Sequence, residues 1–424
     1  MKNASSMKNI RLNNCADRMK FIKSLKSFIG GEKKNINFQQ GKYDVANSYF
    51  YSAGKPVWMK RNYMQFAQEA YVKNVIAYRA MNMISQGAAS IDIKLCDKDG
   101  NTIQHHPIKD LLYNPNPYQN HSEFFESIYL YRQISGNAYV FSSSKTQKLP
   151  KEIYSLRPDR VNVIAGENFL PLGYQYKVGD KEQNFYTDQV SGLGRILHIK
   201  NVNPISDWYG LSAVEAASYS IDQHNNAAAW NQSLLQNGAR PCGAIVVKGN
   251  DNMPSDLSDE QYHRLKEMIN DDFTGAANAG KPMILEGGLD WKEISMSPKD
   301  MEFIEGKHSA AREIALAFGV PPQLLGIPGD NTYSNLSEAR VALWEQTIIP
   351  LAKNTVDHMG NWLSKLYGQK MILKLNMDSI GAIADKREAI WERLEKVNFM
   401  TINEKRKQVG LAPVKNGDSI ASII

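Results

Sequence analysis

Two helices joined by a proline-rich loop, within residues 297–366, constrain the fold more than any other part of the sequence. Ser297 and Pro298 are residue types preferred at the cap and at the first position of a helix. A helix is therefore predicted from Pro298 to about Phe318. Gly319 suits the left-handed residue that follows a helix end, and the prolines directly after Val320 prevent the helix from continuing.

A second, very long helix follows the loop. Asn335 and Glu338 have the spacing of a reciprocal cap, so this helix is predicted to begin at Leu336. Its apolar residues recur every three to five positions as far as Leu366, and Pro350 predicts a bend rather than an end. Helices of about 30 residues are uncommon in compact domains and suit long rods or rings of subunits.

The remaining patterns predict an α+β protein. Before residue 206, helices are predicted at Glu69–Ala88 and Ser122–Ser135, and strands at Ile91–Leu95, Ala138–Phe141 and Val161–Ile164. A helix rich in small residues follows at Leu211–Gln236. A compact α/β insert is predicted next, with strand Gly243–Val247, a helix capped by Ser258, and strands Met283–Leu285 and Trp291–Ile294. The C-terminal part predicts a strand after residue 370, a helix near Ala384–Asn398 and a helix capped by Thr401.

Several sequence blocks resemble one known family. The run GVPPQLLG at Gly319–Gly326, followed by Thr332–Asn335, resembles the siphophage-type portal (head–tail connector) proteins of tailed bacteriophages. Further blocks resemble that family in its order: Gly136–Val140, Gly210–Ala217, Asn237–Pro241, Leu285–Leu289, Asn403-Glu404 and Gly410–Pro413. The resemblance therefore covers most of the chain from about residue 130 to residue 415.

This resemblance implies a domain order. It assigns a basic flexible arm (1–40), an α+β wing (41–205), a wing–stem junction helix (206–240), a clip-containing insert (241–296), a stem helix (297–319), a tunnel loop (320–335), a long kinked wing helix (336–370) and a helical crown (371–424). It also implies assembly into a ring, dodecameric by family resemblance, around a channel for double-stranded DNA. The implied partners are the terminase motor, the major capsid and scaffold proteins, and a head–tail adaptor.

Charge is concentrated at the N-terminus. Residues 1–40 contain nine bases and two acids, a net charge of +7, whereas the other 41 bases and 42 acids nearly balance. A protein that grips DNA statically needs many phosphate contacts, so a near-neutral body is compatible with a channel through which DNA slides. Three interpretations of the arm stay open: a mobile solvated segment, a contact with nucleic acid or membrane, or a start site that is really Met19.

Composition fits a folded protein of several domains. At 424 residues and 42% hydrophobic content the chain can bury a sizeable core. It has no long uninterrupted apolar run and no secretory signal, so we expect a soluble protein that is intracellular when made and has no membrane segment. The family resemblance implies synthesis in the host cytoplasm and incorporation into the virion at the capsid vertex. Cys15, Cys96 and Cys242 are far apart, which predicts free and mostly buried thiols.

The loop between the two helices is the candidate site. By resemblance, its uncharged residues would touch DNA in the channel: Ile327, Pro328, Asn331, Thr332 and Tyr333. The alternative is an ordinary connection in which Pro and Gly only make the turn. The basic residues Lys299, Lys307 and Arg312 could line the stem, although local pairing with Glu302, Glu305 and Glu313 on the same helix is the alternative.

Enzymatic patterns find little support. Gly275–Pro282 approaches a P-loop, but proline replaces the hydroxyl that would bind magnesium. His105 and His106 lack an accompanying metal-ligand pattern, and no G-x-S-x-G motif is present. We therefore expect no enzyme, cofactor or metal. The alternative is a nucleic-acid-processing enzyme acting as a monomer or dimer, which self-assembly into a ring would exclude.

Overall fold

The computed structural model describes residues 62–143, 149–166, 170–236, 243–247, 258–273, 289–293, 303–328, 333–411 and 413–419. These residues combine helices and sheets, which confirms the predicted α+β class. The chain divides into the units Met1–Val57 and Trp58–Ile424, and everything below concerns the second. The basic arm, the P-loop-like turn, and the thiols Cys15 and Cys242 lie outside the described residues, whereas Cys96 is a buried free cysteine, as predicted.

The first helical region is divided, contrary to the prediction of one helix from residue 69. Helix α1 (Tyr63–Phe66) continues into a π-helical segment (Ala67–Val72), and helix α2 (Val75–Ala89) begins after a break. Asn74 causes the break because its side-chain oxygen accepts hydrogen bonds from the first amides of α2. Its Nδ2 also donates to Oδ1 of Asn225 at 3.0 Å, which ties the break to a later helix.

Two further helices complete this region. Helix α3 (Pro107–Tyr113) was not predicted, and His106 caps it through Nδ1, which accepts from the amide of Ile108. Helix α4 (His121–Ser135) matches its prediction to within one residue, and Asn120 and Glu123 form a reciprocal cap at its start. Packing of α2 against α4 forms one side of the main core.

The strands form small antiparallel sheets. Strands β1 (Ile93–Cys96), β2 (Asn137–Ser142) and β4 (Val161–Ala165) were predicted, whereas the sequence patterns did not reveal β3 (Ile153–Leu156), β5 (Pro171–Val178), β6 (Lys181–Tyr186) and β7 (Ile196–Lys200). The order is β3-β2-β7 in one sheet and β4-β5-β6 in another. Tyr139, Tyr174 and Phe185 fill a second, smaller core at these sheets.

The middle of the chain contains the helix rich in small residues and the insert. That helix is interrupted at Ala217, giving α5 (Ala213–Ala216) and α6 (Ser218–Gln236). The insert has strand β8 (Gly243–Val247), helix α7 (Asp259–Phe273) and strand β9 (Leu289–Glu293), and β8 pairs antiparallel with β9. The predicted strand Met283–Leu285 lies outside the described residues.

The long helix predicted after the loop is present, with a different internal structure. Helix α8 (Phe303–Phe318) precedes the loop, and helix α9 (Tyr333–Leu343) begins before the predicted cap, with Asn335 inside it. A π-helical segment (Trp344–Ile348) then leads into helix α10 (Ile349–Tyr367). Pro350 is accommodated near the start of α10, where its missing amide follows the widened turn.

The stretch after the long helix packs back against the first strand, and the crown boundary at residue 371 stays a prediction. Strand β10 (Ile372–Leu375) pairs antiparallel with β1, and Ile93 lies opposite Leu375. Leu373, Ile380 and Ile383 are buried in the main core. Among the described residues, helices α11 (Ala384–Lys396) and α12 (Ile402–Gln408) follow this packed stretch, and Thr401 caps α12 as predicted.

Candidate DNA-channel loop

The loop begins with a glycine cap on α8. Gly319 has a φ of +65°, the left-handed conformation that the sequence predicted for it. The amide of Val320 donates to the carbonyl of Ala315 at 2.9 Å, and that of Gly319 donates to Leu316 at 3.0 Å. This pair of bonds is the Schellman arrangement, which satisfies the last helix carbonyls. Val320 is buried, so the chain leaves α8 in a fixed direction.

A second turn of the same kind follows at once. Pro322–Leu325 forms a short 3-10 helix, and Gly326 ends it with a φ of +73°. The amide of Ile327 donates to the carbonyl of Pro322 at 3.2 Å. Two glycine caps in succession therefore fold residues 319–327 back on themselves through short-range backbone bonds.

Ile327 is an anchor rather than an exposed tip. Its side chain is 4% exposed and packs against Ala311 and Ala315 of α8. The contact of Ile327 with DNA stays a prediction, while the structure shows its side chain enclosed by its own chain. The small alanines on α8 leave the space that the isoleucine fills.

Arg312 fixes the end of the same stretch. Its Nη2 donates to the carbonyl oxygen of Pro328 at 2.6 Å. Glu313, one of the acids expected to pair with it, instead accepts a hydrogen bond from the hydroxyl of Ser220 on α6 at 2.6 Å. Arg312 thus holds the loop to α8, and this contact was not predicted.

The remaining candidate DNA-contact and stem residues lie outside the stretch that Ile327 and Arg312 anchor, or at its end. Pro328 is exposed, as a contact residue should be. Asn331 and Thr332 lie outside the described residues, as does Lys299, and Tyr333 is the first residue of α9. Lys307 is partly buried on α8, and its charge adds to burial in lowering the pKa of His224 on α6. The DNA contacts themselves stay a prediction.

The loop is also linked to the π-helical segment. The hydroxyl of Thr347 donates to the carbonyl of Gly319 at 2.7 Å. Gly319 cannot carry a side chain here, because an added Cβ would lie 2.7 Å from Thr347 Oγ1 in addition to the strain of its positive φ. The cap of α8 and the widened turn of the long helix therefore meet at one point.

Two of the family-like sequence blocks contact each other. A Cβ on Gly136 would lie 2.5 Å from the backbone of Gly210, and one on Gly210 would lie 2.1 Å from the carbonyl of Gly136. Oδ1 of Asn137 accepts from the amide of Gly210 at 2.8 Å, which fixes the orientation of its amide group, and His198 Nε2 lies 2.9 Å away as a second donor. These blocks therefore serve close backbone packing.

A buried arginine connects that contact to the long helix. Arg132 donates to Oδ1 of Asn201 at 2.8 Å and to the hydroxyl of Thr355 on α10 at 2.7 Å. Burial lowers its pKa to about 10, and its positive charge contributes, after burial, to lowering the pKa of His358. Sequence patterns missed this network because Arg132, Asn201 and Thr355 are widely separated along the chain.

Two other kinds of site, a metal cluster and a membrane-spanning helix, are absent from the described residues. Among them, no group of three or more His, Cys, Asp or Glu side chains is placed to hold a metal ion. In the same part of the chain, every helix is too short or too polar to cross a bilayer. His106 caps α3 and lies 3.2 Å from Gln369 Oε1 through Nε2, which is a structural role.

Comparison with known proteins places this architecture among subunits of phage-type heads. The chain is 40% identical to a chain in the neck of a native gene transfer agent (GTA) particle computed with C12 symmetry, with a TM-score of 0.63 over 85% of this chain and 96% of that one. A protein of unassigned function from Rickettsia bellii is 48% identical over 353 residues, which are 83% of this chain and 90% of that one. The portal protein of Enterobacteria phage HK97 is 23% identical over 80% of this chain and 79% of its own.

The family assignment follows from the extent of the match. The sequence profile described as phage portal protein matches residues 76–410, which include the loop, both flanking helices and the contacting glycine blocks. The chain belongs to the phage portal protein family.

Proposed function

We propose that this chain is the subunit of a portal ring at one vertex of a phage or gene-transfer-particle head, and that DNA passes through the ring. The observation that carries the proposal is the family match over residues 76–410 together with a loop that is anchored to α8 at both Ile327 and Pro328. Such anchoring fixes Ile327 and Pro328 against α8. The C12 symmetry of the similar GTA neck supports a ring of twelve.

The charge of the loop suits passage rather than a static grip. Residues 319–335 contain one acid, Asp330, and no Lys or Arg. Binding to duplex DNA at ordinary salt depends on neutralising phosphates with cations, so a loop of this composition gives weak, non-specific contact. Pro328 and Tyr333, with Asn331 and Thr332 between them, remain the proposed contact residues.

Within this proposal the ring also serves as a docking platform. The insert that contains β8, α7 and β9 would meet the terminase motor during packaging and a head–tail adaptor afterwards. The major capsid and scaffold proteins would surround the ring at the capsid vertex. The family is a structural one, so the energy for DNA movement comes from the separate motor.

The ring is tested first, by size-exclusion chromatography with light scattering and by negative-stain imaging of the main peak. Rings with a central hole are expected. Protein that stays monomeric or dimeric at all concentrations contradicts the ring and favours the alternative of a nucleic-acid-processing enzyme, for which nuclease assays would follow.

The DNA contact is tested by changing the charge of the loop. Asp330→Lys should reduce nuclease-protected DNA per particle, because a ring of added cations binds phosphates and slows passage, and higher salt should partly relieve the defect. Asp330→Asn is the matched control and should package almost normally. If Asp330→Lys forms rings and packages as much DNA as wild type, this loop does not contact DNA.

A further inference from the structure

Helix α11, the second-to-last helix among the described residues, has an exposed apolar stripe. Ile390 and Trp391 are 47% and 50% exposed, and Leu394 lies on the same side one turn later. Phe399, just beyond the helix, is 79% exposed. Exposed aromatic and aliphatic side chains in a row along one helix are typical of a surface that another helix covers.

The first turn of α11 is fixed to the body of the molecule. Nζ of Lys386 contacts Glu345 of the π-helical segment at 2.7 Å, and Arg387 forms an ion pair with Asp378 at 2.5 Å. The guanidinium of Arg387 also lies 5.9 Å from the ring centre of Trp391. The helix therefore leaves the body in a defined direction, and the stripe lies on the turns beyond this attachment.

Charges of opposite sign flank the stripe. At about 100° per residue, Glu388, Glu392 and Glu395 share one face of α11, whereas Arg393 and Lys396 share another. These faces and the apolar stripe are roughly a third of a turn apart. All five charged side chains are exposed. One side of the stripe is thus acidic and the other is basic.

The acidic face of one α11 helix is complementary to the basic face of a second copy related to it by rotation. In a closed ring the interface is head-to-tail, so one flank of each subunit meets the opposite flank of the next. We infer that α11 packs beside α11 of a second copy of this chain, with Glu392 and Glu395 of one copy facing Arg393 and Lys396 of its neighbour. The inference rests on the proposed ring.

A protein of another kind would not need both flanks. A capsid or scaffold partner of one charge would select a single acidic or basic surface beside the stripe. Flanking charges of opposite sign set partner choice and orientation when equivalent helices pack side by side. A neighbouring copy of this chain therefore fits the stripe and its two charged flanks better than a different protein does.

The test reverses each flank separately and then mixes the products. Variant A carries Glu392→Lys and Glu395→Lys, and variant B carries Arg393→Glu and Lys396→Glu. Each alone places like charges across every interface, so we expect about tenfold weaker ring assembly by light scattering. An equimolar mixture of A and B restores attraction at each A–B contact, and rings containing both variants should form at wild-type concentrations.

The controls separate this inference from the proposed ring. Asp99→Lys with Asp180→Lys makes the same charge change as variant A on exposed turns of the main body and should assemble like wild type. Circular dichroism of A and B should show wild-type helicity. If both variants assemble normally alone, or if their mixture assembles no better than either one, the inferred contact between α11 helices is wrong. The proposed ring is still supported in that case if the wild-type protein forms rings. Wild-type protein that forms no ring overturns the proposed ring itself.

Discussion

Shortening Ile327 to alanine tests whether packing holds the loop to α8. The side chain is 4% exposed and touches Ala311 and Ala315. Ile327→Ala removes three carbon groups at about 0.8 kcal/mol each, and the cavity left between small residues adds to this loss. We expect a total cost of about 2–4 kcal/mol.

This cost should appear as local opening of the loop. Residues 319–327 are held by short-range turn bonds, such as that from Ile327 to Pro322, and the neighbouring Pro328 is held by Arg312. If the loop opens without global unfolding, about 2–4 kcal/mol corresponds to amide exchange that is about 30 to 700 times faster. Hydrogen exchange with mass spectrometry on peptides spanning 319–328 measures this directly.

The exposed neighbour supplies the control. Pro328→Ala keeps the carbonyl that accepts from Arg312 and removes no buried group, so exchange in 319–327 should change by less than about threefold. Unchanged exchange in Ile327→Ala would refute the anchor. Equal acceleration across the whole protein would mean that Ile327 belongs to the global core and that the loop has no separate stability.

Three further changes test the interior. Gly136→Ala should lower the free energy of unfolding by at least about 3 kcal/mol, because it combines a positive φ with backbone overlap. Gly179→Ala is the control, since Gly179 also has a positive φ but open space around it, and it should cost about 1 kcal/mol. Thermal unfolding compares the two variants. Arg132→Met should cost about 2–4 kcal/mol in denaturant unfolding, because Oδ1 of Asn201 loses the guanidinium donor and Thr355 loses one of its hydrogen bonds. An unchanged midpoint would contradict the network. Burial, then the charges of Lys200 and His358, lower the pKa of His198 to about 3. The folded protein therefore binds fewer protons than the unfolded chain, and its stability is lost as pH falls below about 6.5. Between pH 7.5 and 5 the free energy of unfolding should fall by about 1–2 kcal/mol for this half-buried ring, and His198→Gln should reduce that fall.

Local signals explain what the sequence predicted correctly. Gly319 ends α8 in the left-handed conformation, and Thr401 with Glu404 caps α12, because a cap depends on residues within one turn. Strand β8 matches its prediction because its apolar run is continuous and bounded. In each case the decisive contacts lie within a few residues of one another.

Contacts between distant residues explain what the sequence missed. No pattern within residues 371–383 indicates that Ile372–Leu375 pairs with β1 nearly 280 positions earlier, so the sequence did not reveal this pairing. The division at Asn74 has the same origin, because its amide bonds to Asn225. Periodicity identifies an element, but it does not identify the neighbour against which that element packs.

In the candidate DNA-channel loop, too, sequence patterns did not reveal the contacts between separate elements. The family resemblance implied a DNA contact at Ile327, and Arg312 was expected either to line the stem or to pair with acids on its own helix. In the structure both residues hold the loop to α8, and Thr347 holds the cap of α8 to the π-helical segment. Their contacts with DNA stay a prediction. The position of Pro328 is therefore tied to α8, and the start of the loop is tied to the long helix. A displacement of Pro328 toward or away from DNA must break the Ile327 and Arg312 contacts or move α8 with the loop, and exchange measured in the presence and absence of DNA distinguishes these two routes.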